Sequence, residues 1–410
     1  MKFHLHSLLL LTIVICIAGI SVKAGDFPKG QQTIALPSSW KFSIDPGNKG
    51  FSNGWQKSSF DDRGWESMKV PDNWDLRNEY ANYRGKGWYR TRFVVPSLQG
   101  RRAILAFGEV GNSYKVYFND SLVASVLCGD FTQEFDVTSL CKQGRQNQLS
   151  VEVDNSLSWG AYWNWGGIRR PVSFKLRNAV YIERQEIIAK PDLTKGTAII
   201  STAVYVRNAS KSDKTIVLTQ ELSKSSSSVS STSQTFVAKA GTISKFILEQ
   251  FLSPEKVSLW HFDFPHLYSS DLDLKEAGKI AFQHQDRFGI RKIELDGYQF
   301  KLNGESIRLA GYNWVADDRT TGSTLPEHRY KEDIDMMKEA GANMARLSHR
   351  PLPKDVMDYL DEKGFLVLAE YNNWPDYMND RTSAAKGFAT KFIQQNFNHP
   401  SIFGWSVGNE

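Results

Sequence analysis

Short apolar runs alternate with helical segments in the last third of this chain, and this alternation restricts the fold more than any other feature. We predict strands at 307–312, 343–348, 365–369 and 402–407, separated by helices at 327–340, 354–363 and 383–397. Strand–helix units of this length are typical of a parallel sheet. Four strands and three helices make up the first half of a (β/α)8 TIM barrel. The last run, 402–407, is expected to be buried on both faces.

Polar residues follow each of these four predicted strands. Asn313 ends the first strand, His349 the second and Glu370 the third. The pair Asn409–Glu410 ends the fourth. Parallel strands that neighbour one another in order bring their carboxyl ends to one mouth, where α/β barrels hold their chemistry. A purely structural role does not require polar residues at the ends of four successive strands. A Glu beside an amide is the arrangement that a proton donor to a sugar leaving group requires.

Two all-β units precede the barrel-like residues 287–410. In residues 25–177, alternating runs separated by Gly, Asn and Asp favour a jelly-roll β-sandwich. Residues 178–286 contain short strands over about 100 residues, as in an immunoglobulin-like β-sandwich. A Ser-rich hairpin loop is predicted at 223–233. The Trp- and Gly-rich segment 162–171 is either a packed corner of the first sandwich or a ligand contact.

The composition is that of a soluble globular protein and excludes one class of partner. The formal charge of +5 is spread along the chain, without the basic block that nucleic acid requires, so no nucleic-acid partner is expected. Aromatic residues make up 12% of the chain. Its 12 Trp suit flat sugar faces, and they suit β-sandwich cores as well.

Residues 1–24 are predicted to be a secretory signal peptide, with Lys2 in the basic end and small residues up to Ala24 at the cleavage positions. The apolar core of this segment, residues 8–20, is too short for a good membrane span. We therefore expect an exported protein, periplasmic or secreted, without a membrane partner. Cys128 and Cys141 remain after cleavage, and the sequence leaves open whether they are free thiols or a disulfide.

The motifs of residues 287–410 resemble those of glycoside hydrolase family 2, the retaining β-galactosidase, β-glucuronidase and β-mannosidase group. Segments 287–291 and 300–304 are similar to the start of the family's barrel, and 337–349 to its second strand–helix unit. The run from His399 to Glu410 is similar to the family's acid/base motif almost residue for residue. Upstream, segments 166–170 and 259–268 resemble the ends of its two sandwiches. The resemblance covers nearly all of 25–410 and implies a carbohydrate substrate.

The resemblance also implies roles for the residues at the mouth. Glu410 would be the general acid/base, and Asn409 the amide that bonds the sugar 2-hydroxyl. His349 would stabilise the transition state through a hydroxyl, or it is a histidine at the edge of the core that bonds backbone. Asn313 is a further substrate-binding candidate. Arg346 would hold charge inside the barrel, or it forms a buried structural ion pair.

Glu370 is either a site carboxylate or the partner of Arg346 in a salt bridge that lines the barrel. Trp374, together with Trp314 and Tyr371, either forms sugar platforms or closes the loops. Retaining hydrolysis requires two carboxyls about 5 Å apart, one protonated and one ionised. A nearby anion and partial burial would keep the acid protonated near neutral pH.

The sequence departs from the family pattern at three places. The family's nucleophile is a Glu on a later strand and no residue here stands for it, so we expect a truncated form that is inactive by itself. The run 314–318 lacks the basic or His residue common in β-galactosidases and β-glucuronidases. The run 371–374 lacks the Glu-x-His that supports a metal in some relatives, so we expect no Mg²⁺ there and no cofactor.

Two hypotheses for the function of the whole chain remain. The first is a retaining exo-β-glycosidase that hydrolyses O-glycosidic bonds of β-linked sugars, with galactose favoured. The alternative is a non-catalytic carbohydrate-binding protein that uses its β-sandwich domains, suggested by the aromatic residues at 159–165. The sequence leaves open a homo-oligomer of the full-length form.

Overall fold

The computed structural model describes residues 29–156, 163–371 and 381–409. The predicted signal peptide, Trp374 and Glu410 lie outside these ranges. Within them, no helix combines the length and the apolar character that a bilayer crossing needs. Cys128 and Cys141 are free thiols.

The first unit is a sandwich of two antiparallel sheets. Its strands are β1 (Gln31–Ala35), β2 (Ser39–Asp45), β3 (Glu66–Lys69), β4 (Lys86–Val95), β5 (Arg102–Phe107), β6 (Ser113–Phe118), β7 (Ser121–Val126), β8 (Gln133–Asp136), β9 (Arg145–Asp154) and β10 (Val172–Arg177). One sheet has the order β1-β10-β5-β8 and the other β3-β2-β4-β9-β6-β7. Alternate residues of each strand enter the shared core, which also contains Trp40 and Trp74. Trp88 is fully buried as well, so these three indoles are core residues.

The second unit is a smaller antiparallel sandwich. Its strands are β11 (Val180–Asp192), β12 (Thr197–Asn208), β13 (Lys214–Lys224), β14 (Ser227–Ala238), β15 (Ile243–Leu252), β16 (Tyr268–Glu276) and β17 (Lys279–Phe288), in the sheets β11-β12-β15 and β14-β13-β16-β17. The prediction of a Ser-rich hairpin loop at 223–233 is wrong. Only Ser225 and Ser226 form the turn, and the following serines pair with β13 as a strand, because strand formation depends on cross-strand pairing more than on the residue type alone.

A short hairpin sheet leads into a parallel sheet with helices. The hairpin strands are β18 (Ile293–Asp296), β19 (Gln299–Leu302) and β20 (Glu305–Ser306). The strand–helix units are β21 (Gly311–Trp314), α1 (Glu327–Glu339), β22 (Met344–Leu347), α2 (Lys354–Lys363), β23 (Leu366–Glu370), α3 (Arg381–Asn396) and β24 (Ile402–Ser406). The parallel order β21-β22-β23-β24 confirms the predicted partial barrel.

Two predictions for this sheet need correction. The first strand begins at Gly311 rather than at 307, because the amide of Asn343 holds the preceding segment by bonds to Ala310 N and Arg308 O, 2.9 and 2.8 Å long. The last strand is not buried on both faces. Trp405 is 39% exposed, since β24 pairs on one side only, with β23, in the described sheet.

The three units pack against one another. Cys128 and Phe131 of the first sandwich lie in the core of the barrel unit, where Phe131 contacts Phe392. Trp260 of the second sandwich donates its indole N–H to the carbonyl of Asp361 at 3.1 Å. The sandwiches therefore support the sheet that carries the predicted site.

Candidate active site

The register of the parallel sheet brings the predicted residues to one edge. Asn313 of β21 is the Cα partner of Arg346 in β22, and Glu370 of β23 is the partner of Ser406 in β24. His349 and Asn409 follow β22 and β24 by two and three residues. All these groups therefore belong to the carboxyl ends of neighbouring strands, where barrel sites form.

Glu370 is the centre of a hydrogen-bonded cluster at this edge. Its side chain is fully buried. Its Oε2 accepts bonds from Arg346 Nη2 at 2.7 Å, from Arg346 Nε at 3.1 Å, and from Ser406 Oγ at 2.9 Å. Its Oε1 lies 2.5 Å from His349 Nδ1. The predicted salt bridge of Glu370 with Arg346 is thus present, and it lies within the candidate site.

The cluster extends to the residue next to Glu410. Arg346 Nη2 also donates to Asn409 Oδ1 at 2.9 Å. The guanidinium therefore bridges Glu370 and Asn409. It also orients the Asn409 amide, whose Oδ1 faces Arg346. Ser406 was not predicted as a site residue. The one signal for it in the sequence is a hydroxyl in an otherwise apolar strand.

The other residues predicted for the site do not take part in the Glu370 cluster. Asn313 lines a cavity of about 430 Å³ that it shares with Asp333 and Met337 of α1. Trp314 is 8% exposed and donates to Asp333 Oδ2 at 3.3 Å, and Tyr371 is 5% exposed. These two rings are packed, which leaves them unsuited to be open sugar platforms. The segment 372–374, where no Mg²⁺ was expected, lies outside the described residues.

A second cavity, the junction cavity, lies between the first sandwich and the barrel. Its volume is about 800 Å³, and its lining is Asp75, Leu76, Asn78, Trp163, Trp165, Val315, Asp317, Asp318 and Arg319. Trp165 donates its indole N–H to Asp317 Oδ2 at 2.8 Å, and Trp163 is 48% exposed. The sequence leaves segment 162–171 open between a packed corner and a ligand contact, and the structure describes its residues 163–171. Its Trp residues line a cavity that shares a wall with the loop after β21.

The carboxylates of the junction cavity differ in environment. Burial raises the pKa of Asp75, although bonds from Gly166 N–H and the Arg84 guanidinium oppose this. For Asp318 burial also acts upward, but bonds from the hydroxyls and N–H groups of Thr320 and Thr321 outweigh it and hold the pKa at about 2. The walls thus combine carboxylates, indoles and a guanidinium, which are groups that bind sugar hydroxyls and apolar sugar faces.

One group of potential metal ligands lies at the amino-terminal end of β24. Asp358, Asp361 and His399 bring their ligand atoms within 4.8 Å of one another. Asp358 Oδ1 is already bonded to Lys354 Nζ at 2.8 Å and lies 3.3 Å from Arg287 Nη2. Two cations thus occupy the carboxylate, and the group fits an ion-pair network better than a metal site.

Comparison with known families agrees with this architecture. A model of the family 2 sugar binding domain matches residues 34–177, a glycosyl hydrolases family 2 model matches 180–291, and the family 2 TIM barrel domain matches 293–410. The chain belongs to glycoside hydrolase family 2. Its three units are therefore the family's jelly-roll, immunoglobulin-like and partial TIM-barrel domains.

Relatives within the family have two different names. A β-glucuronidase from Paenibacillus borealis is 25% identical over 94% of this chain and 69% of its own length. A β-galactosidase from Thermoanaerobacter pseudethanolicus is 29% identical over 86% of this chain and 49% of its own length. A putative β-glucuronidase from Formosa agariphila is 27% identical, and 43% of its length is covered. The chain thus spans about half the length of most of these relatives.

A solved structure shows the same fold. The β-glucuronidase 2 of Bacteroides uniformis, determined covalently bound to cyclophellitol-6-carboxylate aziridine, is 26% identical with a TM-score of 0.82. The match covers 92% of this chain and 46% of that protein. The fold of this chain is therefore that of family 2, and the names of its relatives include both β-galactosidase and β-glucuronidase.

Proposed function

We propose that this chain forms the sugar-binding and proton-donating side of the site of a retaining exo-β-glycosidase. Glu410 is the general acid/base, and Asn409, His349 and Arg346 bind or orient the sugar. The observation that carries the proposal is the cluster around Glu370, which ends at Asn409, one residue before Glu410. A strand edge that orients an amide next to a Glu is what proton transfer to a glycosidic oxygen needs.

The hydrogen bonds of the cluster leave defined groups for the sugar. Because Asn409 Oδ1 accepts from Arg346, the amide NH₂ of Asn409 remains as a donor for the sugar 2-hydroxyl. Because His349 Nδ1 faces Glu370, its Nε2 remains for a second hydroxyl. Bonds to the 2-hydroxyl strengthen in the oxocarbenium-like transition state, so these groups favour that state over bound substrate.

We further propose that the junction cavity, whose lining includes none of the Glu370 cluster, receives part of a neutral sugar such as a β-galactoside. Asp75 and Asp318 each have a guanidinium partner, at 2.6 and 3.1 Å. Arg319 is balanced by Asp317 in the same wall. The described lining therefore holds no surplus of positive charge for the carboxylate of a glucuronide. Trp163, which is half exposed, adds a surface for the apolar face of a sugar.

A binding experiment tests this proposal on the chain itself. Saturation-transfer NMR is recorded with methyl β-D-galactopyranoside, methyl β-D-glucuronide and methyl α-D-galactopyranoside. We expect the strongest transfer to the β-galactoside and its loss in His349→Gln, while the exposed His266→Gln in the second sandwich serves as control. Equal transfer to both anomers, or transfer that His349→Gln leaves intact, would contradict the proposed sugar site.

Hydrolysis by residues 1–410 alone is tested separately, because the family resemblance implies a nucleophile on a later strand. We propose that the chain alone does not turn over glycosides, since covalent catalysis lacks its first step. The assay is release of p-nitrophenol from p-nitrophenyl β-D-galactopyranoside, with Glu410→Gln as the control. Release clearly above that control would show that the chain carries its own nucleophile.

A further inference from the structure

Arg350 joins the candidate site to the jelly roll. It follows His349 directly, and it is 4% exposed, among the most buried charged residues of the described chain. Its Nη2 donates to the carbonyl of Ala316 at 2.8 Å, in the loop after β21. Its Nη1 donates to Glu109 Oε2 at 3.4 Å, in the loop after β5 of the jelly roll. One guanidinium thus ties together two loops of the barrel mouth and one loop of another domain.

Glu109 is held firmly on the jelly-roll side. It is 3% exposed, and its main-chain carbonyl accepts bonds from the N–H groups of Arg169 and Arg170, at 3.0 and 3.1 Å. Arg169 Nη2 lies 4.0 Å from its carboxylate. Burial raises the pKa of Glu109, and the guanidiniums of Arg169, Arg350 and Arg170 oppose that rise. A carboxylate so buried is stable as an ion only while such partners are in place.

The geometry points to a positioning role: we propose that Glu109 of the jelly roll sets the position of His349 through Arg350. The importance of that position for sugar binding rests on the proposed function, whereas the coupling itself does not. Consecutive Cα atoms are about 3.8 Å apart, so a shift of the Arg350 main chain also moves the main chain that carries the imidazole. His349 is held by Glu370 on the barrel side and by Arg350 on the jelly-roll side.

This coupling gives the jelly roll a part in the chemistry beyond packing. A misplacement of about 1 Å at a reacting centre costs about 100-fold in rate. Glu109 and Arg350 do not touch the predicted sugar position and are therefore positioning residues. A second ion pair between these domains in the described part of the chain, Arg170 Nη1 with Asp355 Oδ2 at 3.2 Å, is more exposed, and Asp355 is six residues away from His349. It offers a matched control.

The test reads the imidazole of His349 in the full chain. The 8 histidines are labelled with ¹³C at ring Cε1, and the His349 signal is identified by its absence in His349→Gln. Spectra are compared for wild type, Glu109→Gln, Arg350→Lys, the double variant and Asp355→Asn. We expect the His349 signal to shift in both single variants, the double variant to shift no further than either, and Asp355→Asn to leave it in place.

Each outcome decides the proposal. An unmoved His349 signal in Glu109→Gln overturns it, even if Arg350→Lys shifts the signal, because Arg350 is the chain neighbour of His349. So does an equal shift in Asp355→Asn, because any weakened domain contact would then move His349. Loss of all histidine signals in both single variants also counts against it, since the pair would then serve folding alone. Arg350→Lys keeps a positive charge near Glu109, so this variant is expected to fold. Absent glycoside binding with the expected shifts would reject the proposed function and leave the coupling intact.

Discussion

Replacing Glu370 by Gln tests whether its cluster holds the site together. The substitution keeps the shape of the side chain and removes the charge that two Arg346 nitrogens, Ser406 and His349 share. Removing one partner of a buried ion pair costs about 3–5 kcal/mol. Arg346 keeps 25% of its side-chain exposure, and the Gln carbonyl retains one or two of the bonds. We therefore expect the lower end, about 3 kcal/mol.

The assay is differential scanning calorimetry of the full chain, followed through the transition of the barrel unit. For a unit of this size, about 3 kcal/mol lowers the melting temperature by about 10 °C. Glu332→Gln is the control, because that carboxylate is 57% exposed and its ion pair with Arg329 contributes at most about 1 kcal/mol. A barrel transition in Glu370→Gln within about 2 °C of the control would refute the reasoning.

Two further predictions concern the loop after β21. Thr320 and Thr321 hold the pKa of Asp318 at about 2 despite its burial. The contribution of Asp318 to the free energy of unfolding is therefore present above the unfolded-state pKa near 3.8, and it is lost as the pH falls through about 2. Melting curves of wild type and Asp318→Asn should therefore differ at pH 6 and converge toward pH 2, whereas a constant gap would contradict this cause. Gly322 has φ +57°, and an added Cβ would lie 2.3 Å from Asn73 Oδ1 of the jelly roll. Gly322→Ala should cost about 1–3 kcal/mol in urea unfolding, and an unchanged midpoint would mean that this contact yields freely.

The helices of the barrel unit were predictable because their ends carry strong local signals. Pro353 precedes α2 and Gly364 ends it in the left-handed conformation, with φ +71°, so the predicted bounds 354–363 match the structure. The start of β21 was not predictable, because the bonds that release 307–310 from the sheet come from Asn343, more than thirty residues away. Long-range side-chain bonds of this kind leave no local pattern.

The residues of the candidate site were predictable from the sequence, but the contacts between them were not. Asn409, His349, Arg346 and Glu370 could be named from the ends of apolar runs and from a family resemblance. Their mutual bonds could not, since these depend on strand register. The Arg350–Glu109 contact was missed altogether, because its partners lie 241 positions apart and on different domains. The sequence shows only that an Arg directly follows a candidate histidine, and its burial is visible in the structure alone.

The bonds of Glu370 also bear on which carboxyl moves a proton. A carboxylate has about four acceptor positions. Two Arg346 nitrogens, Ser406 Oγ and His349 Nδ1 supply four partners, and the side chain is fully buried. Because Oε2 accepts three of these bonds and Oε1 faces His349, we infer that Glu370 acts by orienting its neighbours. This agrees with the proposal that Glu410 transfers the proton, since its neighbour Asn409 is oriented by the guanidinium that Glu370 holds. The salt bridge of Glu370 with Arg346 is present, and a role of Glu370 in the site stays a prediction.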